Sequence, residues 1–139
     1  MAAALTLNVV TPDRLVVAAD VDEVELPGSE GYFGVLPGHA PLLAQLTVGE
    51  MWYRQGSQKA FLAVAFGFAE VLPDRVTVLA QVAERAEDID RERAETARKR
   101  AERRITSGPS PDIDAERARI ALMKALIRLQ VATRATTHI

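Results

Sequence analysis

The arginines of the basic run RKRAERR, at positions 98–104, are the residues of this chain with the clearest capacity for chemistry. Guanidinium groups bind phosphate oxygens, so such a run could contact a nucleic acid or a nucleotide. Glutamates interleave with these cations, and the formal net charge of the whole chain is −2. This balance favours a solvated helix face over a nucleic-acid-binding surface.

Other kinds of site have little support in the sequence. Gly28, Gly31 and Gly34 could suggest a phosphate-binding loop, but no Gly-Lys-Ser or Gly-Lys-Thr follows them, and the segment leads into a strand. His39 and His138 lie 99 positions apart, and there is no cysteine, so neither metal-ligand spacing nor a thiolate is present. No serine or threonine is marked out as a nucleophile by a neighbouring base. The sequence predicts a protein without catalytic residues or a metal site.

The N-terminal stretch MAAALTLNVVTPDR has neither the basic start and long apolar run of a signal peptide nor the arginine and serine content of a transit peptide. No run in the chain approaches the roughly 18 apolar residues that cross a bilayer. We therefore expect any association with a membrane to depend on a partner.

The elements that must position these residues differ between the two parts of the chain. Residues 1–83 carry 4 basic and 9 acidic side chains and all 7 aromatic residues, whereas residues 84–139 carry 13 basic and 10 acidic side chains. In the first part, short runs such as LTLNVV alternate apolar and polar residues between turn signals. We predict an α+β fold, with an N-terminal β-sandwich of about ten strands over residues 1–86 and a C-terminal antiparallel α-helical hairpin over residues 87–139.

The second part has helical periodicity. Small and aliphatic residues recur every three or four positions, at Ala94, Ala97, Ala101 and Ile105 and then at Ala118, Leu122, Ala125, Leu129 and Ala132. We predict one helix capped by Asp88 or Asp90, and a second that begins near Asp112 and Asp114 and ends near Arg134, with the loop TSGPSP between them. Because alanine buries little apolar surface, the docking of the two helices should be marginal and reversible.

The segment GYFGVLPGHAP, at residues 31–41, predicts a strand between two turns, because its glycines free the backbone and its prolines fix it. This segment and five others, in their order along the chain, resemble the epsilon subunit of F-type ATP synthases. The six are TPDR (11–14), PGSEGYFGVLPGHAPLL (27–43), GFAEV (67–71), VTVLA (76–80), IDRERA (89–94) and the terminal helical hairpin. The resemblance implies a ten-stranded β-sandwich followed by two α-helices, which agrees with the periodicity.

The resemblance also implies a function that the residues alone do not supply. It implies a non-catalytic rotor subunit of the central stalk, with a sandwich bound to the gamma subunit and to the ring of c subunits. The helical hairpin would alternate between a folded state that permits ATP hydrolysis and an extended state along gamma that blocks it, in contact with the alpha and beta subunits. The chain would be peripheral at the cytoplasmic face of a bacterial inner membrane. No cofactor would be required, and ATP would act as a regulatory ligand.

The candidate nucleotide-binding residues come from the same resemblance. The pattern I/L-D-x-x-R-A, which binds ATP in some bacterial epsilon subunits, matches Ile89, Asp90, Arg93 and Ala94. By position, Arg100 and Arg128 would be further phosphate partners, and Lys124 stands where ATP-binding relatives carry an arginine, so it keeps the charge but loses the planar fork. Two interpretations remain open: ATP binds between the helices, or Asp90 only caps the first helix while the arginines pair with surface glutamates.

The candidate partner contacts are also implied by the resemblance. Glu30 and Tyr32 would face the polar loops of the c-ring, and His39 would lie on the side towards gamma. A histidine between Gly38 and Ala40 can equally well serve as a hydrogen-bonding group of the turn. The alternative functions are a stand-alone nucleotide-binding module or a nucleic-acid-binding module that uses the arginine-rich helices.

Overall fold

The computed structural model of this chain describes residues 4–108 and 114–137. These residues form two compact units, the first ending at Arg85 and the second beginning at Ala86. The first unit contains the strands and the second contains the helices. Three parts of the sequence predictions lie outside the described residues: Asp112, His138 and the second half of the loop TSGPSP, residues 109–111.

The described part of the first unit contains seven strands in one sheet. They are β1 (Leu5–Val10), β2 (Leu15–Val21), β3 (Glu23–Gly28), β4 (Gly31–Val35), β5 (Leu42–Gln55), β6 (Gln58–Leu72) and β7 (Arg75–Arg85). The strand order is β2-β1-β7-β6-β5-β3-β4, and neighbours are antiparallel except for the parallel pair β1 and β7. The sheet folds over so that β2 also packs against β5, which makes a β-sandwich around an aliphatic core.

The alternating pattern of the sequence selects the side chains that enter this core. In β1, Leu5, Leu7 and Val9 are completely buried, while the intervening Thr6 and Asn8 are half-buried. The same alternation places Val76 and Val78 of β7 in the core. The half-buried strand that LTLNVV predicts is therefore confirmed.

The prediction of about ten strands is too high, because long strands continue where the sequence indicates breaks. At Phe66 and Gly67, β6 has positive φ angles of 60° and 132°, yet it keeps the same register with β5 and β7 on both sides of this point. A Cβ atom on Gly67 would lie 2.0 Å from the carbonyl oxygen of Leu79, so glycine allows the close approach of β7. Gly67 therefore does not end the strand, which continues to Leu72.

The second unit is an antiparallel helical hairpin. Helix α1 spans Arg91–Thr106 and helix α2 spans Ala115–Ala132, and short 3-10 turns at Ala86–Asp88 and Thr133–Thr137 lie beside each other at one end. Five alanines form the buried interface, each at most 3% exposed: Ala94, Ala101, Ala118, Ala125 and Ala132. The predicted alanine stripes are confirmed for these residues, but Ile105 is 38% exposed and does not belong to the interface.

Candidate functional site

Helix α1 begins where it does because Asp90 caps it. The Asp90 Oδ1 atom accepts the backbone N–H of Arg93 at 3.1 Å, and Asp90 itself has the extended backbone conformation of an N-cap residue. Asp114 caps α2 in the same way, since its Oδ1 accepts the backbone N–H groups of Glu116 and Arg117 at 3.1 and 3.2 Å. Of the two caps that the sequence allows for α1, Asp90 is the correct one.

An open pocket of about 370 Å³ lies between α1 and α2. Helix α1 contributes five residues to its wall and α2 contributes one: Glu92, Arg93, Thr96, Ala97, Arg100 and Arg128. The α1 residues are spaced three and four apart, so their side chains share one helix face. Three guanidinium groups against one carboxylate make the pocket cationic, and guanidinium groups bind phosphate in a bidentate manner.

Some arginines of the hairpin are already occupied by ion pairs along the helices. Arg98 bridges Glu95 and Glu102 on α1, and Arg119 pairs with Glu116 on α2 at 2.8 Å. The hydrogen bond from Arg98 lowers the pKa of Glu95. The same hydrogen bond raises the pKa of Arg98. The surface-pair interpretation therefore describes Arg98 and Arg119, neither of which lines the pocket.

Unlike Arg98, the pocket arginines of α1 are not paired with neighbouring glutamates in the part of the chain that the structure describes. The guanidinium groups of Arg93 and Arg100 form no hydrogen bond or ion pair with any residue in 4–108 and 114–137. Arg128 has an interaction within the chain and still lines the pocket from α2. The structure thus brings together three of the residues predicted to bind nucleotide.

The other predicted nucleotide-binding residues lie in different surroundings. Ile89 and Ala94 are buried, so their side chains pack inside the unit and do not line the pocket. Asp90 caps α1 through Oδ1, and its Oδ2 accepts no hydrogen bond from the part of the chain that the structure describes. Lys124, one turn before Arg128 on α2, is half-buried and lies outside the pocket wall.

The sequence predictions of the nucleotide site missed three residues of the pocket, Glu92, Thr96 and Ala97. Glu92 falls on an unspecified position of the pattern I/L-D-x-x-R-A, and Thr96 and Ala97 follow the pattern, so none of them is picked out by the resemblance. The spacing of Glu92, Thr96 and Arg100 at intervals of four residues is the signal that could have found the first two, because such residues line up on one helix face.

The predicted partner contacts lie in the first unit, around the turn between β3 and β4. Glu30 is exposed in this turn. The Tyr32 hydroxyl accepts the backbone N–H of Glu50 at 3.1 Å, and a Cβ atom on Gly49 would lie 2.5 Å from that hydroxyl. Tyr32 is nevertheless 55% exposed, so it presents a ring edge that is anchored to β5.

His39 is in the loop after β4. Its Nδ1 lies 2.7 Å from the Ala40 carbonyl oxygen, and because a carbonyl oxygen can only accept, Nδ1 carries the proton. This hydrogen bond is the turn interaction that the sequence allows for His39.

A second open pocket, of about 490 Å³, adjoins the turn between β3 and β4 and is lined by residues 28–33 and 42–45. Part of its rim is apolar, because Leu43 is 70% exposed and Leu42 is also exposed. These two leucines beside Glu30 and Tyr32 form a surface suited to protein contacts. Within residues 4–108 and 114–137, neither helix has the length and apolar character required to span a bilayer.

Comparison with known proteins accounts for both units. The profile described as "ATP synthase, Delta/Epsilon chain, beta-sandwich domain" matches residues 4–86, and that described as "ATP synthase, Delta/Epsilon chain, long alpha-helix domain" matches residues 87–133. The ATP synthase epsilon chain of Halalkalibacterium halodurans is 48% identical over 130 residues, which are 94% of this chain and 98% of that relative. This chain belongs to the epsilon-chain family of F-type ATP synthases. The resemblance stated from its motifs is confirmed.

Two further similarities, one to a relative and one to a solved structure, agree with this assignment. The ATP synthase epsilon chain of Koribacter versatilis is 53% identical over 110 residues, 78% of each chain. A chain in the cryo-EM structure of the Euglena gracilis mitochondrial ATP synthase, OSCP/F1/c-ring in rotational state 1, superposes with a TM-score of 0.71. That likeness covers 99% of this chain and 84% of the other at 23% identity, and it supports the fold alone.

Proposed function

We propose that this chain is the central-stalk rotor subunit of an F-type ATP synthase, and that its helical hairpin restrains ATP hydrolysis and responds to ATP. Its role is mechanical and regulatory, without catalysis by the chain itself. The arginine-lined pocket between α1 and α2 is the observation that carries the regulatory part of this proposal. Family membership supports the part that concerns the complex.

The α1–α2 interface is suited to a reversible element. Burial of a CH₂ group contributes about 0.8 kcal/mol, so the five buried alanine methyl groups contribute on the order of 4 kcal/mol. A ligand that binds only the closed hairpin adds about 2.7 kcal/mol when its concentration is a hundred times its Kd. The two free energies are similar in size, so a ligand can shift the equilibrium between closed and open hairpins.

ATP has the chemistry to act as this ligand. Its phosphate oxygens can accept hydrogen bonds from Arg93 and Arg100 on α1 and from Arg128 on α2. A ligand held from both helices favours the state in which the helices are together. The open hairpin would extend along gamma towards the alpha and beta subunits, where it would oppose rotation in the hydrolytic direction.

In this proposal the first unit binds the neighbouring subunits of the complex. The turn with Glu30 and Tyr32, together with the apolar rim at Leu42 and Leu43, would contact the c-ring, and the side with His39 would contact gamma. The hydrogen bond between Tyr32 and Glu50 supports this role, since an anchored ring loses little entropy on binding. In this arrangement the chain is peripheral at the cytoplasmic face of a bacterial inner membrane and reaches the membrane only through the complex.

The inhibitory role is tested by removing residues 88–139 and assaying ATP hydrolysis in the reassembled enzyme. We expect faster hydrolysis, because the hairpin that opposes rotation is missing. Co-purification of the shortened chain with gamma is the control for assembly. If the shortened chain assembles and hydrolysis is unchanged, the hairpin has no inhibitory role.

A further inference from the structure

The glutamates of α1 are not equivalent. Glu95 and Glu102 both pair with Arg98, on the helix surface away from the pocket wall. Glu92 lines the pocket, and its carboxylate has no hydrogen bond or ion pair with the described part of the chain. A carboxylate beside three guanidinium groups lowers the positive charge of a pocket that would otherwise be purely cationic.

The position of Glu92 limits the ligands that the pocket can bind well. Helix α1 rises 1.5 Å per residue, so Glu92 lies about 12 Å along the helix axis from Arg100, with Thr96 midway. An ionised carboxylate is only an acceptor of hydrogen bonds, and it repels phosphate. A bare polyphosphate would satisfy the arginines but would be repelled by Glu92. A ligand with hydroxyl or amino donors next to its phosphates would satisfy both kinds of group.

We infer that Glu92 is a specificity-determining residue, which selects a nucleoside polyphosphate over a bare polyphosphate by accepting a hydrogen bond from the nucleoside part. This inference rests on the proposed binding of ATP between α1 and α2. It assigns the choice of ligand to a residue at an unspecified position of the I/L-D-x-x-R-A pattern. The donor is either a ribose hydroxyl or the adenine amino group, which share the ability to donate to a carboxylate.

A purely structural role of Glu92 can be separated from ligand selection. Glu92 is in the first turn of α1, where a negative side chain favours the helix dipole. Glu116 is the matched control, because it occupies the same position in α2, two residues after the capping aspartate, and lies outside the pocket. A dipole effect would be similar at the two positions, whereas ligand selection belongs to Glu92 alone.

The test is calorimetric titration of the full chain with ATP and, separately, with inorganic tripolyphosphate. We expect Glu92→Gln to weaken ATP binding roughly tenfold, through loss of a charged hydrogen bond. The same change should strengthen tripolyphosphate binding roughly twofold, through loss of one repulsive charge at the pocket. Glu116→Gln should leave both affinities as they are in the unsubstituted chain, and circular dichroism should show equal helix content in all three proteins.

Two further ligands distinguish the donors. Inosine triphosphate lacks the amino group, and 2′,3′-dideoxy-ATP lacks both ribose hydroxyls. The analogue whose affinity is the same for the unsubstituted chain and for Glu92→Gln lacks the group that donates to Glu92. An unchanged ratio of ATP to tripolyphosphate affinity in Glu92→Gln overturns the inference and leaves the proposed ATP site intact. Absence of ATP binding by the unsubstituted chain overturns the ATP-sensing proposal and the inference together.

Discussion

The Asp90 carboxylate accepts the backbone N–H of Arg93 at 3.1 Å, so the two charged residues of the I/L-D-x-x-R-A pattern are joined through the first turn of α1. This bond fixes the start of the helix and therefore the point from which Arg93 projects towards the pocket. The aspartate acts on the pocket as a positioning residue, whether or not its second oxygen contacts a ligand.

The N-cap hydrogen bond of Asp90 leads to a prediction about the stability of the hairpin. Asp90→Ala should lower the free energy of unfolding of the hairpin by about 1 kcal/mol, while Asp90→Asn should cost little, because asparagine is an equally good N-cap. Thermal unfolding followed by circular dichroism measures both. Equal destabilisation by alanine and asparagine would show that the negative charge matters and the cap does not.

The hydrogen bond between the Tyr32 hydroxyl and the Glu50 backbone N–H can be tested by substitution. Tyr32→Phe removes the acceptor of the Glu50 backbone N–H and should destabilise the sandwich by about 1 kcal/mol. Chemical denaturation measures this difference, and Glu30→Gln, an exposed change in the same turn, should alter stability by less than about 0.5 kcal/mol. A Tyr32→Phe chain as stable as the original would mean that the hydroxyl does not hold the ring to β5.

The close approach of β7 to β6 requires glycine at position 67. Gly67→Ala should destabilise the sandwich by about 3 kcal/mol or more, because the new methyl group meets the Leu79 carbonyl and the backbone has φ of 132°. Gly34→Ala is the matched control, since the nearest atom to its Cβ is 3.9 Å away. Similar unfolding midpoints for the two variants would contradict the close approach of β7.

The ion pair of Glu95 with Arg98 predicts that the stability of the hairpin depends on pH. Because the pKa of Glu95 is lowered in the folded chain, its contribution to stability is complete above the ordinary glutamate pKa and is lost as the pH falls through the lower folded value. Helix content of the hairpin should decrease over this range, and less so in Glu95→Gln. The pH titration is followed by circular dichroism. Glu116→Gln, which removes the surface ion pair with Arg119, is measured for comparison. Identical acid profiles of Glu95→Gln and the original chain would exclude this contribution.

The fold was largely predictable because its local patterns agree with the final structure. Alternation in β1 and the alanine periodicity of α1 and α2 each select one buried face, and the capping aspartates mark the helix starts. The number of strands was not predictable, because the effect of Gly67 depends on the neighbouring strand β7. Whether a strand ends at a glycine or continues through it depends on contacts that are distant in sequence.

The candidate site was only partly predictable for a similar reason. The resemblance to the family identifies Arg93, Arg100 and Arg128. It does not show which arginines pair with neighbouring glutamates, as Arg98 does. Packing also decides that Ala94 is buried and that Glu92 lines the pocket. These distinctions require the pairing of α1 with α2, which a single sequence does not specify.

The central claim is that ATP binds the arginine pocket of the closed hairpin, and calorimetric titration of the full chain with ATP tests it most directly. We expect heat of binding from the original chain, an affinity at least tenfold lower in Arg100→Ala, and an unchanged affinity in Arg103→Ala, because Arg103 lies on α1 outside the pocket. No heat at millimolar ATP, or an equal loss in the two variants, would contradict the claim.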